Sequence, residues 1–234
     1  MSGRALLVAL IPCYNPGPAL AAVVATASKH VEALVVVDDG SEQGLEEALG
    51  ATPVTRLRFE RNRGKGHALV AGLRLCLAQF PCDAVVMLDA DGQHDADEIP
   101  ALRRVWAQSR ADLVIGVRTG DWTRVAVSRR WGNRVGSRVL SRVCGQPIPD
   151  SQCGFRLLSR PALEAILPVL PGGRYETESV MLILAARRGF RIASVPVRLI
   201  PARAPSTSHF RLLRDSIRVG LALARHGVGG AGRP

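Results

Sequence analysis

A single α/β domain built around a mostly parallel sheet is the fold class that this 234-residue sequence predicts. Three observations lead there. Through the first half, short apolar runs alternate with helical patterns, the rhythm of a parallel sheet flanked by helices on both faces. Two of those runs stop abruptly in aspartates and a glycine, at Asp38-Asp39-Gly40 and Asp89-Ala90-Asp91-Gly92. No Pro/Ser-rich linker or internal repeat divides the chain, and its length suits one sizeable core.

The apolar runs Ala5–Ile11, Ala33–Val37, Val54–Phe59, Ala84–Leu88 and Asp112–Val117 read as strands. Their β-branched content and turn-forming ends carry that reading. Helical patterns near 18–29, 43–50, 66–79 and 97–108 fill the gaps between them. The second half changes character. Arg130, Arg134, Arg138 and Arg142 recur every fourth residue across 124–143, with Val135 and Val139 interleaved. On a helix this sets a basic stripe beside an apolar one. A last helix, about 208–225, carries Phe210, Leu213, Ile217 and Leu221 on one face, flanked by arginines. Residues 1–207 therefore read as one domain, 208–226 as an amphipathic helix, and the Gly-rich 227–234 as a disordered tail.

Composition narrows the partners. The chain is 47% hydrophobic and only 4% aromatic, with a net charge of +11. Lys29 and Lys65 are its only lysines. Such a charge attracts polyanions: nucleoside diphosphates, anionic lipid surfaces or nucleic acid. Single-stranded nucleic acid calls for aromatic stacking platforms, which this chain lacks, so nucleic acid is not expected as a partner. No apolar stretch reaches the roughly 18–20 residues of a membrane span. There is no signal-peptide layout either, so the expectation is a cytoplasmic protein, or one that meets a membrane from its inner face as a peripheral protein. Five cysteines (Cys13, Cys76, Cys82, Cys144, Cys153) form no CxxC pair, which points to reduced, mostly buried thiols.

The chemistry sits where the strands end. In an open α/β sheet, ligands bind outside the carboxyl ends of the strands. Two carboxylates one residue apart, Asp89 and Asp91, suit a hard divalent cation, which takes oxygen ligands and keeps positions open for phosphate. Asp38 and Asp39 close a second strand at the same edge, where a carboxylate can accept hydrogen bonds from a base or a ribose. The first strand runs into Pro12-Cys13-Tyr14-Asn15-Pro16-Gly17, a loop able to wall the same crevice, with Tyr14 able to stack on a base. Arg61-Asn62-Arg63-Gly64-Lys65-Gly66-His67 precedes a helix and offers backbone N–H groups and cations to an anion. It matches neither the Walker A spacing nor the dinucleotide-binding glycine fingerprint, which disfavours a P-loop NTPase and a hydride-transfer dehydrogenase. Asp95 and Glu98 read as a helix-capping box rather than as metal ligands.

Taken in order, these segments resemble family 2 glycosyltransferases of the GT-A fold. The match runs through Pro12–Asn15, Val37–Ser41, Asn62–Gly66, Asp89–His94, Asp150-Ser151-Gln152-Cys153-Gly154-Phe155-Arg156, Tyr175–Glu178 and Gly189–Val197. The chain looks most like the branch that loads sugars onto dolichyl and polyprenyl phosphates. The resemblance implies a Rossmann-like GT-A sheet and an inverting single displacement from a UDP- or GDP-sugar. It implies Mg²⁺ or Mn²⁺ held by Asp89, Asp91 and Gln93, with Asp39, beside Asp38, on the nucleotide. Pro12, Tyr14, Lys65 and Asp89 complete the candidate donor site. Members often carry a glutamate where Pro16 stands, so the identity of the base stays open.

The acceptor decides whether a base is needed. A hydroxyl must lose its proton to a positioned carboxylate, and family position nominates Asp150 or Glu178. A polyprenyl phosphate is already anionic and needs cations instead; the resemblance implies Arg118, after the strand Val114–Val117, where related phosphate-acceptor enzymes place a cation, with Arg130 second. A membrane-associated acceptor, polyprenyl phosphate first and a hydroxyl acceptor second, is the expectation, with an anionic membrane surface as partner and self-association left open. A sugar-1-phosphate nucleotidyltransferase would carry a Gly-rich, cationic loop after the first strand, where this chain has Pro12–Pro16. A non-enzymatic basic module would leave the paired acidic strand ends without a role.

Overall fold

The computed structural model describes residues 5–43, 45–49, 52–119, 127–174 and 176–200, with backbone alone for 47 and 127–130. The expected helix at 208–226 and tail at 227–234 lie outside the described residues. A seven-stranded sheet organises the chain, with strands β1 (Leu7–Cys13), β2 (Ala33–Asp38), β3 (Thr55–Arg58), β4 (Ala84–Met87), β5 (Leu113–Thr119), β6 (Arg156–Ser159) and β7 (Ile192–Arg198). Their order across the sheet is β3-β2-β1-β4-β6-β5-β7. All neighbours are parallel except β6, which runs antiparallel to both β4 and β5.

Helices α1 (Ala19–Ala27), α2 (Glu46–Leu49), α3 (Lys65–Gln79), α4 (Ile99–Ser109), α5 (Val127–Cys144), α6 (Arg160–Ile166) and α7 (Glu176–Arg187) connect the strands. Successive side chains of a strand point to opposite faces. Every residue of β1, β4 and β6 is buried, so the middle of the sheet is covered on both sides. The edge strand β3 instead alternates half-buried with exposed positions.

The five strands and four helices read from the first half all form, within a few residues of the expected bounds. β1 extends to Cys13 and so takes in Pro12, which is buried. Its pairing with β4 ends at Leu10 opposite Met87, so the N–H that proline lacks breaks no ladder on that side. Arg118 lies inside β5 rather than after it. Periodicity gave no sign of β6 and β7. β6 has four residues and begins with an arginine, too short for a period to register. β7 contains Pro196, which argues against a central strand, and the structure puts it on the sheet edge where proline is tolerated.

Candidate active site

Strand direction gathers the site. β1, β2, β4 and β5 present their carboxyl ends at one edge. β6 runs the other way, with Arg156 opposite both Met87 of β4 and Ile115 of β5. The segment leading into β6, Asp150–Gly154, therefore arrives at the same edge as Asp89 and Arg118. An antiparallel strand in a parallel sheet brings its preceding loop where the others bring their following loops.

On the β1–β2 side, two loops are stitched together. Asn15, in the left-handed region at φ +43°, donates its N–H to Ser41 Oγ (2.8 Å) and accepts from Glu42 N–H at Oδ1 (2.9 Å). Asp38 accepts from Ser41 N–H (2.9 Å) and Ser41 Oγ–H (2.6 Å), which closes the turn. Asp39 accepts from Arg63 N–H (2.7 Å), Gly64 N–H (2.8 Å) and Asn62 Nδ2 (3.0 Å). Burial raises the Asp39 pKa, and those backbone N–H groups oppose the rise. Gly64 is required here: its φ is +106°, and a Cβ would lie 2.8 Å from the Gly173 carbonyl oxygen. The 61–65 loop is thus folded around the Asp39 carboxylate, and it delivers Lys65 as the first residue of α3.

Lys65 reaches across to the second acidic strand end. Its Nζ lies 2.6 Å from Asp89 Oδ1 and 3.3 Å from Glu178 of α7. Burial would pull the ammonium pKa down; Asp89 and Glu178 outweigh burial and push it up. Burial likewise works against Asp89, but Lys65 and then His94 hold that carboxyl down at about 2. Asp91 stands at the exposed mouth and accepts from Gln93 N–H (3.0 Å) and Gln93 Nε2 (2.8 Å). What enclosure it has, and then the neighbouring charge of Asp89, raise its pKa. His94 is buried, its pKa lowered by that burial, and its ring stacks on Phe155 at 5.5 Å. The imidazole packs beneath Asp89, 4.0 Å from Oδ2. Gly154 lets the Asp89 carboxylate rest against backbone, since a Cβ there would meet Oδ2 at 2.6 Å.

This donor set fits Mg²⁺ or Mn²⁺. Among the described residues no cluster of three or more His, Cys, Asp and Glu forms a protein cage for a metal. Mg²⁺ is ordinarily held by one or two carboxylates with substrate phosphates completing its shell, and Asp89 and Asp91 supply that number.

The third group lies between β5, α5 and the segment before β6. Arg118 donates from Nε to Asp150 Oδ2 (2.8 Å) and from Nη2 to Oδ1 (2.9 Å), a two-point ion pair. Asn133 of α5 adds Nδ2 to Asp150 Oδ1 (2.9 Å). Burial would raise the Asp150 carboxyl, but Arg118 holds it below the usual range. Asp150 correspondingly pushes Arg118 up against the pull of burial. Beneath them Arg156 is wholly buried and donates to three carbonyls, Cys153 (2.8 Å), Ser151 (2.7 Å) and Glu178 (2.6 Å). That one guanidinium ties the 151–153 segment to α7.

Asp38, Asp39, Lys65, Asp89, Asp91, Gln93, Arg118, Asp150 and Glu178 all gather at this edge. Pro12 is within β1, and Tyr14 is half-buried just beyond it. The Arg130 side chain falls outside the described ones. Asp95 caps a 3-10 turn through Asp97 N–H (3.1 Å), but Glu98 does not return the bond: its carboxylate accepts from Arg198 N–H (2.9 Å). The capping box is therefore half formed, because β7 supplies a better-placed donor. Asn133 and the bracing by Arg156 escaped the sequence. A lone amide on an Arg-rich helix carries no pattern, and a buried arginine reads as a surface one until its carbonyl partners are known.

Residues 8–167 match the family model described as Glycosyl transferase family 2. A UDP-N-acetylglucosamine--dolichyl-phosphate N-acetylglucosaminyltransferase of Methanococcus voltae is 29% identical over 216 residues, covering 83% of this chain and 86% of that protein. An undecaprenyl-phosphate mannosyltransferase of Micrococcus luteus is 30% identical over 205 residues, covering 83% of each. Among solved structures, the fold is shared with glucosyl-3-phosphoglycerate synthase of Mycobacterium tuberculosis in complex with Mn²⁺, UDP and glucosyl-3-phosphoglycerate. The TM-score is 0.71 at 24% identity, covering 99% of this chain and 83% of that one.

Proposed function

The chain belongs to glycosyl transferase family 2, with the GT-A fold, and we propose that it moves a sugar from a UDP- or GDP-sugar onto a polyprenyl phosphate, with inversion. One observation carries the choice of acceptor. Both carboxylates that could serve as base are already paired: Asp150 with Arg118 at two points, Glu178 with Lys65. A carboxylate held down by a guanidinium is a poor proton acceptor, and a hydroxyl acceptor would need a good one. A phosphate needs none. Its oxygen attacks the anomeric carbon, the bond from that carbon to the diphosphate oxygen breaks, and the nucleoside diphosphate leaves with the electron pair. The names of the Methanococcus and Micrococcus relatives point to the same acceptor class.

In this reading Pro12, Tyr14, Asp38 and Asp39 wall the nucleotide pocket. Asp89 and Asp91 would hold Mg²⁺ or Mn²⁺, with Gln93 beside them and His94 and Gly154 fixing Asp89 from below. Bound there, the cation would neutralise charge that builds on the leaving diphosphate. Lys65 adds a fixed positive charge to the same side, and Arg118, oriented by Asp150 and Asn133, faces the acceptor phosphate. The lipid tail puts the reaction at a membrane surface, with the protein peripheral on its cytoplasmic face. Transfer of labelled sugar from a panel of UDP- and GDP-sugars with Mn²⁺ to polyprenyl phosphate, compared with the parent polyprenol, tests this. Product on the phosphate and none on the alcohol is expected. Transfer to the alcohol would return Asp150 or Glu178 to the role of base.

A further inference from the structure

Among the described residues the large apolar side chains that stand exposed are Leu6, Trp131, Val135, Val139 and Val169, and three of these lie on α5. Their exposures are 60%, 51% and 39% for Trp131, Val135 and Val139, high for a tryptophan with no function in water. At about 100° per residue, positions 131, 135 and 142 point away from the buried 133, 137 and 140. Exposed Arg134, Arg138 and Arg142 lie alongside, with no acidic residue anywhere in α5. An apolar ridge with a tryptophan, set among arginines, has the composition of a helix that lies in a lipid interface.

We propose that the outward face of α5 docks this protein on an anionic membrane surface. Charge decides among the occupants such a face could have. Residues 201–234 contain six arginines against Asp215 alone, so covering α5 with them would stack like charges. A second copy of the same face would set Arg134, Arg138 and Arg142 against themselves. Anionic headgroups satisfy the arginines, and the acyl boundary takes Trp131 and Val135. The inward face of the same helix carries Asn133 to Asp150 (2.9 Å) and Ser137 to Ser151 Oγ (3.2 Å). One helix thickness, about 10 Å, then separates the lipid surface from the Arg118–Asp150 pair.

The test uses the full chain and vesicles without polyprenyl phosphate or nucleotide, so its outcome is independent of the acceptor reading. Co-sedimentation is measured with phosphatidylcholine vesicles with and without phosphatidylglycerol. Binding only to the anionic vesicles is expected. The triple substitution R134Q/R138Q/R142Q should lower the partition coefficient about a hundredfold, at about fivefold per arginine. W131S/V135S should lower it at least tenfold at an unchanged melting temperature. Binding unaltered by both variants would overturn the proposal and move docking elsewhere, to 208–225 first. So would failure of the wild type to bind, or a dimer in sedimentation velocity that W131S/V135S dissolves with vesicle binding intact.

Discussion

Replacing Asp150 by asparagine separates a base from a clamp. The wild-type carboxylate accepts from Arg118 Nε, Arg118 Nη2, the Arg118 N–H and Asn133 Nδ2, and its side chain is 3% exposed. An amide has one oxygen, so its NH₂ must confront at least one of those donors, and Arg118 loses its countercharge. Breaking a buried ion pair costs about 3–5 kcal/mol. The Arg118 side chain is 19% exposed and water can relieve part of that, so about 2–3 kcal/mol is expected. For a chain of this size that is a fall in melting temperature of roughly 5–10 °C. The sign with pH follows from the depressed carboxyl. Its stabilisation is complete above the ordinary aspartate pKa and is lost as pH falls below about 4, so the gap between wild type and D150N should close there. Differential scanning fluorimetry across pH reads this. Steady-state kinetics with lipid phosphate should show kcat within about tenfold of wild type and a raised acceptor KM, because the guanidinium is no longer held at two points. A base would cost about 10²–10⁴ in kcat. A thousandfold loss of kcat at unchanged KM, with the acid limb of the pH–rate profile gone, would refute the reasoning.

Asp91→Ala should abolish transfer and leave the fold intact, since the residue is exposed and its partners are its own neighbours in the loop. In the wild type a saturating nucleotide-sugar at about 100 times its Kd adds about 2.7 kcal/mol; that thermal shift should require Mn²⁺ and be missing in D91A. Gly154→Ala, whose new methyl would press on Asp89 Oδ2, should raise the Mn²⁺ concentration for half-maximal activity at least tenfold, with a smaller effect on melting. Arg156→Met leaves three buried carbonyls without donors at about 1 kcal/mol or more each, so the melting temperature should drop by more than about 6 °C. Turnover in R156M should fall as well, as the 151–153 segment is released from α7. A melting temperature unchanged in R156M would mean that those carbonyls find other donors.

Legibility followed the physics of each signal. Strands buried on both faces are runs of apolar residues, so β1, β2 and β4 were visible from Leu7, Val35 and Val85 outward. Acidic strand ends were visible because nothing in a core calls for Asp38-Asp39 or Asp89-Ala90-Asp91. What could not be read was partnership between distant residues. Lys65 looked like a generic cation in a glycine-rich loop, and only the approach of α3 to β4 and α7 shows it between Asp89 and Glu178. Sequence alone makes Asp150 and Arg118 candidates for opposite reasons, as base and as phosphate-binding cation. Their pairing favours the cation reading over the base, and it depends on β6 being antiparallel, a feature with no local signature.

The charges at the carboxyl edge also explain why the site should take a cation before an anion. On the β4–β5 side of that edge, Asp89, Asp91, Asp150 and Glu178 face Lys65 and Arg118, four carboxylates against two cations, so carboxylates are in excess there. A nucleoside diphosphate approaching that edge alone meets like charge, despite the +11 of the chain as a whole. A divalent cation bound there would cancel the local excess, and the arginines of α5 and the 61–63 loop would then set the field for phosphates. The two ion pairs serve a further purpose. Lys65 keeps the Asp89 carboxylate ionised and aimed, and Asp150 keeps the Arg118 guanidinium in plane, so neither group must reorganise when substrate arrives. On this account the carboxylates order cations rather than protons, which is the division of labour that a phosphate acceptor requires.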